Sequence, residues 1–172
     1  MNFKVAQVNL SPTQGGAARA ASRLNSGLRS LGVDSRFAFL EQEGKEYGQN
    51  LGSAIWKVSG ARSASSILIG DIIQPHLINR HRTSLSDTIF TSSYPGLDIS
   101  QTKIVQESDI INLHWTNFFL SPKTINLLGE TRKPLVWTLH DQWPMTGGCH
   151  YAAGCEGYVS GCHSCPQITP PL

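Results

Sequence analysis

The sequence predicts an α/β fold: a parallel sheet with helices on both faces, followed by a cysteine-rich carboxyl-terminal loop. Three observations predict it. Apolar strand-like runs alternate along the chain with runs of helical period, glycines and prolines punctuate them, and 40% hydrophobic residues against 15% charged ones describe a folded globular body. Strands that alternate with helices imply right-handed crossovers, and hence a parallel sheet. At 172 residues the chain has the length of one domain, enough to bury roughly two-thirds of its unfolded surface without staples.

Lys4 to Leu10 reads as a buried first strand, broken by Ser11-Pro12-Thr13-Gln14-Gly15-Gly16. Ala17, Ala21, Leu24, Leu28 and Leu31 recur at alternating spacings of three and four, which marks one helical face, and Gly32 stands where a C-terminal cap belongs. Ser35 to Leu40 supplies a second strand, and the polar, glycine-bearing stretch Glu41 to Gly52 a loop. Residues 53–82 read as largely helical, with Ile55, Val58, Ile69, Ile72 and Ile73 as the apolar positions and Pro75 as a kink. Thr88 to Thr91 reads as a short strand before the Tyr94-Pro95-Gly96 turn, and Ile99 to Glu107 as a short helix. Asp109 to His114 is a clear buried strand, Ser121-Pro122 opens a helix with a cap residue and a proline at its first position, and Pro134 to Leu139 is another strand. The tail from Thr169 to Leu172 reads as irregular, and no internal repeat or low-complexity segment is visible.

Composition narrows the function classes. A net charge of +2 provides no basic stripe, so nucleic acid is not an expected partner. The amino terminus lacks the charged, apolar and small-residue order of a secretory signal, and no stretch approaches the ~20 consecutive apolar residues of a transmembrane helix. The expected place is the cytoplasm, at most peripheral to the inner membrane face. Thiols are kept reduced there, so four cysteines confined to positions 149–165 point to a metal before they point to disulfides.

In a parallel sheet ligands bind beyond the carboxyl ends of the strands. The groups expected at that edge are the Gly15-Gly16 loop, His114-Trp115 and His140-Asp141. Gly15 and Gly16 join a first strand to a first helix, where backbone N–H groups and the helix dipole can approach an anion such as a diphosphate; a plain tight turn explains them equally. Glu41, just past the second strand, has the place of a ribose-binding acid, but the G-x-G-x-x-G pattern that accompanies such an acid is missing. His140 ends the run Val136-Trp137-Thr138-Leu139, with Asp141 beside it to orient the ring or accept a hydrogen bond, and His114 ends the neighbouring strand without an adjacent acid. The bland reading of either histidine is a strand-end imidazole paired with a loop carbonyl. Trp115 and Trp143, with Tyr151 and Tyr158, offer flat faces suited to sugar rings, whereas Trp56 and Trp137 are expected in the core.

Cys149, Cys155, Cys162 and Cys165 follow the spacing C-x5-C-x6-C-x2-C, and the final C-x-x-C is a knuckle that grips one side of a tetrahedral metal. Four thiolates would make a closed structural zinc site that folds the glycine-bearing segment 144–167 and activates no water. An iron–sulfur cluster, a redox pair at Cys162 and Cys165, and free thiols are the alternatives, and His150 or His163 could replace a cysteine.

Three segments, Gly15 to Ala21, Asp109 to Trp115, and Pro134 through Gln167, together resemble the amino-terminal, Rossmann-like domain of family 4 glycosyltransferases, the GT-B type active in bacterial surface polysaccharide synthesis. The resemblance is collinear over nearly the whole chain, and Thr138 to Pro144 with Thr146 to Tyr151 is its most specific part. It implies transfer of a sugar from a nucleotide-sugar donor to a carbohydrate acceptor, with retention of configuration and no catalytic metal, in a cleft between two domains of which this is the acceptor side. It further implies that Gly15 and Gly16 approach the donor phosphates, that His140 touches the transferred sugar, and that Asp141 and His114 shape the pocket. The family's donor-binding domain, with its paired glutamates, is absent from these 172 residues, so the isolated chain is expected to transfer little or no sugar and to be a fragment or half of a split enzyme. A non-catalytic carbohydrate-binding or partner-docking module is the alternative from another class.

Overall fold

The structure is a computed structural model that describes residues 3–40, 55–58, 68–86, 88–92 and 94–169. The chain divides into two compact units, one formed by Met1–Ala61 with Gly96–His140 and the other by Arg62–Pro95 with Asp141–Leu172.

The first unit is an α/β sheet of Rossmann-like topology. Strands β1 (Lys4–Asn9), β2 (Asp34–Leu40), β3 (Ile55–Val58), β4 (Ile110–Leu113) and β5 (Leu135–Trp137) lie in the order β3-β2-β1-β4-β5. All neighbours are parallel, with Gln7 opposite Phe37 on one side and Asn112 on the other, and Leu113 opposite Trp137. Helices cover both faces. Ala21 of α1 (Gly15–Ser30) packs with Phe37 and Phe39 on one face. On the other, Ala6, Val8, Ala38, Leu40, Ile111 and Leu113 pack with Ile104 and Val105 of α3 (Lys103–Glu107) and Leu128 of α4 (Pro122–Glu130). Each large apolar side chain fully buried this way contributes roughly 1.5–3 kcal/mol.

Local chemistry sets the helix ends. Leu31 ends α1, Gly32 follows in the left-handed region at φ +82°, its N–H reaches Arg29 O at 3.0 Å and that of Val33 reaches Leu28 O at 3.0 Å, a Schellman closure at the glycine expected to cap the helix. Ser121 caps α4 by accepting from Thr124 N–H at 3.3 Å, with Pro122 in the first turn.

Several expectations are corrected. The buried positions of α1 are Ala18, Ala21 and Asn25, while Leu24 and Leu31 are exposed. Small residues bring this helix close to the sheet, and Asn25 Oδ1 accepts from Ser35 Oγ at 2.8 Å, a tertiary pairing that an apolar count cannot see. Ile55–Val58 is a strand, not the start of a helix: a short run of β-branched and aromatic residues joins the β2 ladder, overriding local helical period. Among the described residues helix is found at Leu68–Ile73, in π geometry, and continues as α2 (Gln74–Arg80), with Pro75 in the first turn of the α-helical part. The helix expected over Ile99–Glu107 starts at Lys103, and Thr88–Thr91 contributes an isolated antiparallel bridge, Phe90 to Cys149, in place of a strand. The loop 41–52 with Glu41, residues 59–67 of the expected helix and the tail residues 170–172 lie outside the described residues, as does the Trp56 side chain.

The second unit contains α2, two short 3-10 turns at Trp143–Met145 and Gly157–Ser160, and a second antiparallel bridge, Arg82 to Ile168. Hydrogen bonds hold its irregular backbone: Arg82 Nη1 donates to Thr88 O at 2.7 Å and Ser86 Oγ at 2.8 Å, and Thr83 N–H to Gln167 O at 3.0 Å.

Candidate functional site

Strand order reverses between β1 and β4, and at such a switch point the crossovers diverge to opposite faces and leave a crevice beyond the strand ends. The chain leaves β1 toward Gly15-Gly16, leaves β4 at His114-Trp115, and leaves β5 toward His140. Three predicted site elements therefore leave the carboxyl ends of neighbouring strands.

Gly15 has φ +88°, which favours glycine, and both Gly15 and Gly16 are exposed with no atom within 4 Å of where a Cβ would stand. The loop is open to a ligand. His114 lies just past β4, tied in by its N–H to Val8 O at 2.9 Å. Its side chain is only 3% exposed, on the sheet face shared by Gln7 and Asn112. His140 is half-buried, and its ring stacks on that of His114 with centroids 5.4 Å apart and His114 Nδ1 to His140 Nε2 at 3.1 Å. One imidazole is thus buried beneath another that keeps partial access to solvent.

The buried ring rests on amides. His114 Nε2 lies 2.8 Å from Gln7 Oε1, which also accepts from Asn112 Nδ2 at 2.9 Å, and Asn112 Oδ1 accepts from Thr138 Oγ1 at 3.0 Å. Burial, with a smaller contribution from the neighbouring His140, pushes the His114 pKa down to about 4, so the ring is neutral at pH 7. Trp115 is half-buried; its N–H donates to Asn9 Oδ1 at 2.9 Å, and its ring meets Phe118 at 6.1 Å between centroids. Trp137 packs partly into the core as expected, its indole N–H donating to His114 O at 3.1 Å.

Asp141 and Trp143 belong to the second unit. Asp141 Oδ2 lies 2.6 Å from His150 Nδ1, and its Oδ1 accepts from Trp143 N–H at 3.0 Å. Thr91 Oγ1 stands 3.2 Å from His150 Nε2, and Trp143 Nε1 donates to Thr91 O at 3.1 Å. An acid, an imidazole and a hydroxyl in line resemble a nucleophilic relay, but the Asp141 and His150 side chains are 8% and 1% exposed and Thr91 is 7% exposed, which gives a substrate no approach to the hydroxyl. The line is a strut that shapes the turn after His140. Trp143 is buried within it and offers no open face for a sugar.

Cys149 is buried, and its thiol is pushed up mainly by that burial; Cys155, Cys162 and Cys165 are half-buried, and all four are free. Gly147 N–H donates to Cys162 Sγ and Gly157 N–H to Cys155 Sγ, each at 3.3 Å. Among the described residues no group of three or more histidine, cysteine, aspartate or glutamate side chains is placed to hold a metal ion. Cys162, His163 and Cys165 instead line a cavity of about 450 Å³ with Leu77, Ile78 and Phe90.

The chain is similar to a bacterial sugar transferase. It is 27% identical, over 178 aligned residues, to the protein named "Putative colanic acid biosynthesis glycosyl transferase WcaC" of Escherichia coli (strain K12). The match takes in 99% of this chain but 42% of that protein. No family model matches the chain, and no solved structure does. Among the described residues no helix is long and apolar enough to cross a membrane.

Sequence reasoning passed over Gln7 and Asn112, and it took His150 for a possible metal ligand and not for the partner of Asp141. A signal for the first two was present: strands buried on both faces of a parallel sheet run nearly continuously apolar, and a lone amide inside each of two such strands needs a partner. For His150 there was none, because its pairing with Asp141 depends on how the loop closes.

Proposed function

We propose that this chain is the acceptor-side half of a retaining glycosyltransferase of GT-B type and family 4 kind, which moves a sugar from a nucleotide-sugar to a carbohydrate acceptor in polysaccharide synthesis. One observation carries the reading: a half-buried imidazole, His140, stands past the carboxyl end of β5, backed by the buried neutral ring of His114 beside a topological switch point. The likeness to a sugar transferase over almost the full chain supports it. In this reading the open Gly15-Gly16 loop meets the donor phosphates, His140 touches the transferred sugar, and Trp115 borders the acceptor. Asp141 acts through the loop it braces. The nucleotide is bound by a separate domain, without which the 172 residues transfer little sugar because the donor loses most of its contacts. The place of work is the cytoplasm or the inner membrane face.

Zinc has no part in this chemistry. Its proposed role is structural, and it rests on the thiol set and spacing alone.

The test is to join the chain to a donor-binding domain and follow sugar transfer by wild type and His140→Ala. A loss of about a hundredfold or more in turnover is expected for a contact to the reacting sugar. Equal turnover removes His140 from the site, glycan binding without nucleotide-sugar use marks a binding module instead, and inverted product configuration by proton NMR overturns retention.

A further inference from the structure

We propose that Gln7 is a positioning residue that, through His114, sets the proton order of the imidazole pair and presents His140 with its Nε2 as a hydrogen-bond donor. The inference rests on the transfer reading only for its catalytic consequence; the proton order itself follows from contacts within the first unit.

The argument runs from the strand interior outward. Gln7 is fully buried in the central strand, and its Oε1 is approached by Asn112 Nδ2 at 2.9 Å and His114 Nε2 at 2.8 Å. An amide oxygen only accepts, so His114 Nε2 must carry the proton. A neutral ring has a single N–H, which leaves His114 Nδ1 as an acceptor, and the group 3.1 Å from it is His140 Nε2. His140 Nε2 must then donate, and in the neutral ring Nδ1 carries the lone pair.

The orientations of the Gln7 and Asn112 amides, which also bring Asn112 Nδ2 to 3.3 Å from His114 Nε2, together set the direction of the chain. The Asn112 amide nitrogen donates to Gln7 while Asn112 Oδ1 accepts from Thr138 Oγ1. Turning over Gln7 alone would set its NH2 group against that of Asn112. Turning both would reverse every proton, making His114 Nδ1 the donor and His140 Nε2 the acceptor. The arrangement has a cost that a purely structural residue would avoid: Gln7 Nε2 is buried with no hydrogen-bond partner among the described residues. Leucine, of similar volume, would remove that unpaired donor but take the acceptor from Asn112 Nδ2 and His114 Nε2. The amide's oxygen is what the imidazole pair uses.

The experiment is nitrogen-15 NMR of the histidine rings in the chain as it stands, where long-range couplings separate Nδ1–H from Nε2–H tautomers without any sugar substrate. Wild type is expected to show both His114 and His140 as Nε2–H. Gln7→Glu, which keeps an acceptor at the same place and adds charge, should retain that tautomer at His114 and raise its titration above the wild-type value. Gln7→Leu should leave a mixture of tautomers at His140. Nδ1–H at either ring of the wild type, or unchanged rings in Gln7→Leu, overturns the proposal; should Gln7→Leu fail to fold, the wild-type spectrum and Gln7→Glu decide. The two readings fail separately. Wrong tautomers in a chain whose joined form still depends on His140 refute the proton order alone, whereas the expected tautomers with His140→Ala at wild-type turnover refute the transfer reading alone.

Discussion

Acid should cost this protein stability through one buried ring, and the size of the effect follows from the site. His114 has an ordinary pKa of 6.5 in the unfolded chain and about 4 in the fold, where burial first and the neighbouring His140 second disfavour its cation. Above pH 6.5 the ring is neutral in both states and contributes no pH dependence. As pH falls from 6.5 toward 4 the unfolded chain takes up a proton that the native chain refuses, so stability falls with it; below 4 both states are protonated and the loss is complete. At about 1.4 kcal/mol per pH unit the interval from 6.5 to about 4 sets a loss of about 3 kcal/mol. That is a large part of the roughly 5–15 kcal/mol that holds a domain together. The assay is urea unfolding followed by tryptophan fluorescence between pH 7.5 and 4, for wild type and for His114→Gln, whose amide can still donate to Gln7 Oε1. With a slope of about 2 kcal/mol per molar urea, the wild-type midpoint should fall by about 1.5 M more than that of the variant across this range. Parallel pH profiles for the two proteins would refute the claim that His114 is held neutral.

Three further outcomes are expected. Gly15→Ala forces a side chain into the left-handed region at φ +88° and should cost about 1–2 kcal/mol, whereas Gly16→Asp, with open space around its Cβ, should leave the urea midpoint nearly unchanged yet raise KM for the nucleotide-sugar in the joined enzyme; an unchanged KM removes the loop from the donor site. Gly148→Ala would bring a Cβ to 2.5 Å from Phe90 Cε1 and 2.9 Å from Thr91 O, so it should lower the melting temperature by several degrees, and equal melting would contradict the packing described. Metal analysis of the purified chain should give one zinc per molecule, lost in Cys162→Ser; a folded, metal-free wild type would reject zinc.

The parts of the fold legible in the sequence were those that local chemistry decides. Ser121 and Pro122 opened a helix because cap and proline act within one turn, Gly32 closed another because only glycine enters the left-handed region freely, and the apolar runs around Val8, Ile111 and Val136 formed strands. The misreadings fall where a partner far along the chain decides. Ile55–Val58 became a strand because β2 offered it a ladder, and α1 turned Ala18, Ala21 and Asn25 toward the sheet because Phe37, Phe39 and Ser35 were there to receive them. The site shows the same division. His140 and His114 were visible as strand-end imidazoles, but their stacking, and the amides beneath, required the β1–β4–β5 register. Asp141 was visible as an acid beside His140, yet His150 and Trp143 hold its carboxylate.

That register also explains why the site sits on one face of the sheet. On the face covered by α3 and α4, β1 and β4 present Ala6, Val8, Ile111 and Leu113, a dry and fully apolar surface. On the opposite face the same two strands present Gln7, Asn9, Asn112 and, just past the strand, His114, all nearly inaccessible to solvent. A sheet selected for stability alone would fill these positions with valine and isoleucine, since buried polar groups at best break even when fully paired and here one donor is left over. Strain and unpaired groups of this kind accumulate where a fold supports chemistry. The amides and His114 form a polar column leading from the sheet interior to His140, and replacing any one member by a hydrocarbon leaves its partners unpaired and the proton of the imidazole pair without an assigned place.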